Sequence, residues 1–253
     1  MHIGANYLSN GKSIENLLEL WGDNEKILYI ISNKENEVPR EGIIKYASPI
    51  SSNIEELLKN NSVELNTEED LKEFAMKSQN MDRYYGINFM NLNNSKNTIE
   101  FRLPNGTIDE NTWIENINLF GGIIKSAEDI MQIQCKPENE RIDEENKKIA
   151  LFERLKDKEL SDEERLETLL SLVIREENRD IYRNRYKTNS ELIRQNSELL
   201  DGITKNIAKS PVNIKKISKT VFVGEGSVTG QDYQKIKSDI EKYKQKENQE
   251  VIE

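Results

Sequence analysis

Apolar and polar residues alternate strictly over 98–103, TIEFRL, and this period of two predicts a β-strand with one buried face. The apolar members share that face; they are Ile99, Phe101 and Leu103. Glu100 and Arg102 share the opposite face. The stretch 83–106 as a whole predicts two strands joined by a polar turn.

Helical spacing of apolar residues replaces this alternation upstream. A short strand is predicted over 3–8, followed by a helix that begins at Ser13. The run at 29–31, YII, also suits a strand, but we favour a continuation of the helix. Two short helices are predicted over 53–59 and 67–77, and Thr67 with Asp70 has the pattern of a helix start at the second of them.

A long helix is predicted from a capping box at Thr107 to about Ile133. One side of it is expected to pack on the sheet and carries Trp113, Ile117, Phe120, Ile124, Ala127 and Met131. The chain changes character at 135–137, after which it is helical and heavily charged, with a narrow stripe of leucines. We therefore predict an α+β fold, with a sheet and packed helices over 1–137 and an α-helical extension over 138–253.

The charge balance limits the classes of partner. The 253 residues include 36 basic and 46 acidic ones, for a net charge of −10, so nucleic acid is not expected to bind through the overall field. Cys135 is the one cysteine, which excludes an internal disulfide and fits a reducing compartment. No apolar run has membrane-spanning length and the first residues lack a signal-peptide layout, so we expect a cytoplasmic protein without a membrane partner.

Two features near the carboxyl end allow more than one interpretation. The charged residues of 204–220 are all lysines, which is typical of a solvated face but also of a patch for an acidic partner. The glycines of 224–230 resemble a phosphate loop but lack its Gly-Lys-Ser/Thr ending, so a flexible turn is favoured.

Glu100 and Arg102, held side by side on a strand, suit chemistry on a phosphorylated anion. A carboxylate can hold Mg²⁺, and a guanidinium can bind phosphate with its planar fork. The alternative is a solvated outer face with a weak surface ion pair, which is common on half-exposed antiparallel strands. Alternation alone favours that alternative.

A longer sequence pattern favours the functional interpretation of Glu100 and Arg102 over the solvated face. The chain resembles the amidoligase family, within the carboxylate–amine ligase group that includes glutamine synthetase and glutamate–cysteine ligase. The resemblance is carried by five segments, HIGANYL, NLLELWGDNEKILYIISN, PREGIIKYASPIS, RYYGINFMNL and TIEFRLPNGTIDENTWIENINLFGG. The resemblance covers 2–130, about half of the chain. It implies an antiparallel sheet of the glutamine-synthetase type and an ATP-dependent ligase that forms an amide, through an acyl-phosphate, between amino-acid or peptide substrates.

The resemblance also implies roles for individual residues. Glu100 matches the carboxylate that binds the Mg²⁺ of MgATP, and Arg102 matches the arginine that contacts the transferring phosphate. Arg83, at the head of the neighbouring strand, matches an arginine that binds phosphate or the substrate carboxylate. Arg40 matches a loop arginine at the substrate end of the cleft.

Asn88 and His2 complete the implied site. Asn88 occupies a polar position of the cleft near the nucleotide, and His2 matches a histidine of a His-x-His-x-Gly strand, implying a metal ligand. Arg83 and Asn88 are five positions apart, so a regular strand would direct them to opposite faces unless Gly86 forms a bulge. A flexible, disordered side chain is an alternative for His2.

The chain departs from the family pattern at its start. The family opens with a strand that carries a Glu-x-Glu metal motif, which is absent here, so the sheet is expected to be incomplete. Either a protein partner covers its edge or the fold is marginal. The alternative function is therefore a non-catalytic interaction protein that uses a ligase remnant as scaffold and the helical tail for partner binding.

Overall fold

The computed structural model describes residues 1–9, 11–60, 67–92, 94–214, 221–223 and 226–228. The strands are β1 (His2–Gly4), β2 (Ile87–Asn88), β3 (Thr98–Phe101), β4 (Val221–Val223) and β5 (Gly226–Val228). The helices are α1 (Gly11–Ile31), α2 (Ile43–Tyr46), α3 (Ser51–Lys59), α4 (Glu68–Lys77), α5 (Glu110–Gln134), α6 (Asp143–Arg154), α7 (Asp162–Val173), α8 (Arg179–Arg194) and α9 (Ser197–Lys205). The predicted α+β class with a helical extension is confirmed.

The first three strands form an antiparallel sheet in the order β1-β3-β2. His2 of β1 and Asn88 of β2 lie opposite Glu100 of β3, one on each side. β1 ends earlier than the predicted strand over 3–8 because the chain enters a 3₁₀ turn at Ala5–Tyr7. The sheet thus places three of the predicted site residues on adjacent strands.

α1 lies at the centre of the fold and is buried on nearly all sides, in contact with α3, α4, α5, α7 and α8. The helical interpretation of 29–31 is confirmed. Ser13 is not the cap that the sequence predicts, because the helix begins at Gly11 and the Ser13 hydroxyl donates to Glu128 Oε2 at 2.6 Å. A tertiary contact with α5 has taken the place of the local one.

Two other helix starts test the same kind of prediction. Thr67 and Asp70 form a capping box at the start of α4, as expected. The box predicted at Thr107 is wrong, since Asp109 caps α5 by accepting the backbone N–H of Asn111 at 3.1 Å. The extent of α5 nevertheless agrees with the predicted long helix.

The predicted packing face of α5 is confirmed in part. Its later residues are buried, and these are Phe120, Ile124, Ala127 and Met131. Trp113 and Ile117 remain 51% and 44% exposed, so the prediction is wrong for the first turns of the helix. The reason is that β1 is an edge strand, and no further strand among the described residues continues the sheet on that side.

The buried face of β3 packs against α1 and α5 through aromatic rings. The ring centroids of Phe101 and Phe120 lie 4.6 Å apart, and those of Trp21 and Phe101 lie 5.7 Å apart. Such offset contacts between large rings contribute more than their buried area alone. The strand that carries Glu100 is therefore fixed from behind by the largest side chains of the core.

The helical extension packs on the same core. Its buried stripe includes Leu155, Leu166, Leu169, Leu170 and Ile174, and one apolar cluster joins them to residues of α1 and α5. Ser161 and Glu164 form the capping box of α7. The division into domains at 137 stays a prediction.

The last part of the chain is described only in pieces. Lys205 and Lys209 are exposed, and Lys215, Lys216 and Lys219 lie outside the described residues. Of the glycine run 224–230, only 226–228 is described, as β5 paired with β4, so the interpretations as a phosphate loop or a flexible turn lie largely outside the described residues. In the described ranges, no helix has both the length and the apolar character that a membrane crossing requires.

Candidate functional site

Glu100 in β3 and Arg102, just after the strand ends, point away from the core, as the alternation predicts. Ile99, Phe101 and Leu103 are at most 1% exposed. The Glu100 and Arg102 side chains are 21% and 20% exposed, and Glu100 Oε1 lies 3.7 Å from Arg102 Nε. The pair is therefore largely screened from water, which a freely solvated outer face would not provide.

Asn88 fixes the orientation of the Glu100 carboxylate. Its Nδ2 donates to Glu100 Oε2 at 2.7 Å across the β2–β3 pairing. The Asn88 side chain is buried, and its Oδ1 in turn accepts from the backbone N–H of Met90 at 2.9 Å. One carboxylate oxygen is thus held by an amide, while Oε1 faces the charged groups.

Gln79 is a further member of this network that sequence reasoning missed. Its Nε2 donates to Asn88 Oδ1 at 3.4 Å, and its Oε1 accepts the backbone N–H of Phe89 at 3.1 Å. Gln79 is fully buried in the turn after α4. No local pattern marks such a residue, because its role depends on a contact with a strand ten positions away.

His2 lies in β1, on the strand next to Glu100. The strand is held by the pairing of Met1 with Phe101, whose backbone N–H donates to Met1 O at 2.7 Å. His2 Nε2 lies 3.8 Å from Glu100 Oε1, and the His2 side chain is 53% exposed. His2 and Glu100 are therefore neighbours on one face of the sheet.

The described part of the site offers one carboxylate and one imidazole, which is fewer ligands than a metal held by protein alone requires. Among the described residues, no group of three or more His, Cys, Asp or Glu side chains converges on a point. Mg²⁺ prefers oxygen ligands, keeps several waters and is often bound through one or two carboxylates plus substrate phosphates. Glu100 meets that requirement, whereas an imidazole such as His2 suits softer metals.

Arg102 and Arg83 meet at one aromatic ring. The Arg102 and Arg83 guanidinium carbons lie 5.4 and 5.3 Å from the centroid of Tyr84, and Arg102 Nη1 donates to the backbone O of Arg83 at 2.8 Å. Cation–π contacts of this kind hold a guanidinium in place without neutralising its charge. Tyr84 is a second residue that the sequence analysis did not single out.

Arg83 precedes β2 rather than standing at its head, which corrects the predicted position. β2 begins at Ile87, and Arg83 lies in an exposed loop before it. Arg83 and Asn88 therefore need not face opposite sides of the sheet, because they do not share a strand. Gly86 forms a bend whose N–H donates to Ser48 O at 2.8 Å and whose O accepts from the N–H of Arg102 at 2.9 Å.

Arg40 supports the end of β3. Its Nη1 donates to Pro104 O at 2.9 Å and its Nη2 donates to Arg102 O at 3.0 Å. The half-buried position, followed by the nearby charge of Arg102, lowers the pKa of Arg40. The guanidinium thus adds positive charge behind Arg102 and uses two of its donors to hold the backbone there.

The site therefore unites all six residues singled out in the sequence around β3, at the surface of the sheet. A protein-family model with the description "Putative amidoligase enzyme" matches residues 1–124. This half of the chain belongs to the amidoligase family. The six residues of the site all lie within it, and the helical extension from α6 onward lies outside it. No curated protein and no solved structure matches the chain.

Proposed function

We propose that the amidoligase half of this chain uses ATP to join the carboxylate of an amino acid or peptide to an amine. The observation that carries the proposal is the local charge balance. Arg102 pairs with one carboxylate, Glu100, while Arg83 shares the Tyr84 ring with Arg102 and Arg40 donates to the Arg102 backbone, in a chain whose net charge is −10. A concentration of guanidinium groups against the overall charge is typical of a site for phosphate or carboxylate anions.

The reaction would proceed in two balanced steps. A substrate carboxylate oxygen attacks the terminal phosphorus of ATP, the bond to the bridging oxygen breaks, and ADP leaves. The amine then attacks the acyl carbon of the mixed anhydride, inorganic phosphate leaves with the bonding electrons, and the nitrogen loses a proton to give the amide. In such phosphoryl transfers the protein contributes position and positive charge more than covalent chemistry.

Each side chain has a role that its contacts support. Glu100 would bind the magnesium ion of MgATP through Oε1, while Asn88 holds the other carboxylate oxygen. The ion would neutralise charge on the phosphates. Arg102, fixed by Tyr84 and by the Arg83 backbone, would contact the transferring phosphoryl group. Arg83, exposed and adjacent, would bind phosphate or the substrate carboxylate, and Arg40 would act chiefly by positioning Arg102.

Calorimetric titration of the full chain with MgATP tests the proposal. We expect saturable binding that Glu100→Gln and Arg102→Gln each weaken by roughly tenfold or more, since each removes a charged partner of the nucleotide complex. Glu100→Gln retains an oxygen that can accept from Asn88, so the strand pairing should survive. Release of ADP that requires both a carboxylate and an amine would extend the result from binding to turnover.

α8 offers a matched control pair. Glu191 and Arg194 lie three positions apart with Arg194 Nη1 2.7 Å from Glu191 Oε2, and both are more than half exposed. Glu191→Gln and Arg194→Gln remove the same charges from a solvated surface and should leave MgATP binding unchanged. A folded wild-type chain that binds no MgATP at millimolar nucleotide would refute the proposal.

A non-catalytic interaction protein is the second candidate function. The observation in its favour is the exposure of large apolar side chains beside β1, namely Tyr7, Trp113 and Ile117. Monomeric proteins rarely leave such residues contiguous unless a partner covers them. The two functions differ in the titration above, because a pure scaffold would fold normally and bind no nucleotide.

A further inference from the structure

An apolar groove runs between the outer edge of β1 and the first turns of α5. Its volume is about 700 Å³. The walls include Ile3, Tyr7, Trp113, Ile117 and Ile124, and Gly121 of α5 also lines the groove. A cavity of this size with mainly apolar walls has the character of a binding site.

The backbone edge of β1 opens onto this groove. Met1 and Ala5 bond to β3, through Phe101 N–H to Met1 O and Ala5 N–H to Asn97 O. In an antiparallel pair alternate residues bond to the neighbouring strand and the others point away, so the N–H and C=O groups of His2 and Gly4 face outward. Among the described residues no strand pairs with this edge.

The exposed apolar side chains lie next to the unpaired backbone edge of β1, and a ligand that covers both must be an extended chain. Tyr7, Trp113 and Ile117 are 71%, 51% and 44% exposed. A helix in the groove would cover them but leave the strand edge unpaired. An extended chain satisfies both, because its backbone bonds to β1 while every second side chain enters the groove.

Charge then distinguishes a separate partner from a second copy of this chain. At the end of the groove Asp129 contacts two lysines, Lys125 Nζ at 2.7 Å from both carboxylate oxygens and Lys148 Nζ at 3.3 Å from Oδ2, so its charge is compensated. Among the described residues Glu128 accepts from the neutral groups of Ser9, Ser13 and Gln132, so no cation there compensates its charge directly. Two copies at −10 each would repel, whereas a basic segment would be attracted.

We propose that an extended segment of a partner protein, with apolar side chains at alternate positions and basic residues beside them, adds to the sheet as a fourth strand next to β1. The backbone groups of His2 and Gly4 form the ladder, and the apolar side chains pack between Tyr7, Trp113 and Ile117. This inference does not depend on the proposed ligase activity.

A short capped peptide with alternating valine and threonine between terminal lysines is the probe. The chain has two tryptophans, and Trp21 is fully buried whereas Trp113 is half exposed in the groove wall. Binding should therefore shift the tryptophan emission to shorter wavelength, and Trp113→Phe should abolish the shift. Hydrogen exchange should slow at the amides of His2 and Gly4.

Gly121 provides a matched pair of variants. A Cβ built there meets no atom within 4 Å, so the side chain of Gly121→Leu starts from open space on the groove wall. Both leucine and alanine favour a helix over glycine. We expect Gly121→Leu to weaken peptide binding on the order of tenfold, as loss of a central contact does, and Gly121→Ala to change it little. Tyr7→Ser should weaken peptide binding as well. Because Tyr7 lies outside the α-helices, this variant tests the groove even if Gly121→Leu disturbs folding.

The peptide charge is the second variable. The same peptide with glutamates in place of the lysines should bind more weakly, and added salt should reduce that difference. Absence of an emission shift and of amide protection with the lysine peptide would overturn the proposal. A dimer in which His2 and Gly4 are already protected, and which Gly121→Leu dissociates, would overturn it in favour of a second copy.

Discussion

Replacement of Glu55 by glutamine tests how the helical extension is attached to the amidoligase half. Glu55 of α3 accepts from Lys59 Nζ at 2.6 Å, from the backbone N–H of Lys209 at 2.8 Å and from the Ser210 hydroxyl. Its side chain is 10% exposed. The carboxylate therefore joins the segment that follows α9 to a helix of the family-matched region.

The pKa of Glu55 gives the magnitude. Burial alone would raise it, but the hydrogen bonds from Lys59, Ser210 and the backbone of Lys209 together lower it to about 2, against an ordinary value of 4.5. At 1.36 kcal/mol per pKa unit the difference corresponds to about 3 kcal/mol. Because Lys59 is 64% exposed and its share is screened by water, we expect about 2 kcal/mol to be measurable.

The sign of the pH dependence follows from the lowered pKa. A group whose pKa is lower in the folded than in the unfolded state stabilises the fold fully above the unfolded value of 4.5. That stability is lost as pH falls from 4.5 to about 2. Urea unfolding at neutral pH should thus show Glu55→Gln to be destabilised by about 2 kcal/mol, and the difference from wild type should shrink at pH near 3.

Glu56 is the matched control, since it is the next residue of α3 and is exposed. Glu56→Gln should leave the unfolding free energy unchanged within about 0.5 kcal/mol at both pH values. Equal effects of the two substitutions, or an effect of Glu55→Gln that does not vary with pH, would contradict the assignment of the stability to the Glu55 hydrogen bonds.

Two further stability predictions concern α5 and α8. Gly122→Ala should destabilise the chain by roughly 1–3 kcal/mol, because the added Cβ would lie 2.3 Å from the backbone O of Val173. Gly121→Ala, whose Cβ lies in open space, should instead stabilise it by up to about 1 kcal/mol. Thermal unfolding of both variants measures the contrast. Arg185→Met should cost roughly 3–5 kcal/mol in denaturant unfolding, because Arg185 is 1% exposed and its loss leaves Glu115 without its charged partner; a cost below 1 kcal/mol would mean that the pair does not stabilise the fold.

The strand that carries the site was predictable because its signal is local. Alternation over 98–103 gives both the strand and the division of its faces, and Ile99 and Glu100 lie on the sides expected. The start of α4 was predictable for the same reason, since Thr67 and Asp70 bond to each other three positions apart. Patterns that are satisfied within a few residues survive into the folded chain.

The errors arise where a distant contact competes with a local one. Ser13 has the chemistry of a cap but donates to Glu128, 115 positions away. Trp113 and Ile117 have the spacing of a buried face, but the sheet does not extend far enough to cover them. Periodicity gives the direction in which a side chain points, and only the tertiary arrangement decides whether anything lies there.

The site shows the same limit in its supporting residues. The charged residues Glu100 and Arg102 are visible in the sequence, whereas the groups that orient them are an amide and a ring with no motif of their own. Gln79 holds Asn88 and Asn88 holds Glu100, while Tyr84 lies under both Arg83 and Arg102. Supporting residues of this kind determine how precisely a charged side chain is oriented.

The arginines show how an acidic chain can hold a local concentration of positive charge. Net charge averages over the whole surface, but Arg40 and Arg102 are joined through the Arg102 backbone and Arg83 meets Arg102 at Tyr84, so three positive groups are held within one short stretch of sheet. Burial, followed by the nearby charge of Arg102, lowers the pKa of Arg40, so holding its positive charge there has a cost. An anion placed between them would relieve that cost, so phosphate or nucleotide should stabilise the folded chain more than an equal concentration of chloride does. Thermal unfolding in matched ionic strength measures this difference, and Arg102→Gln should abolish it.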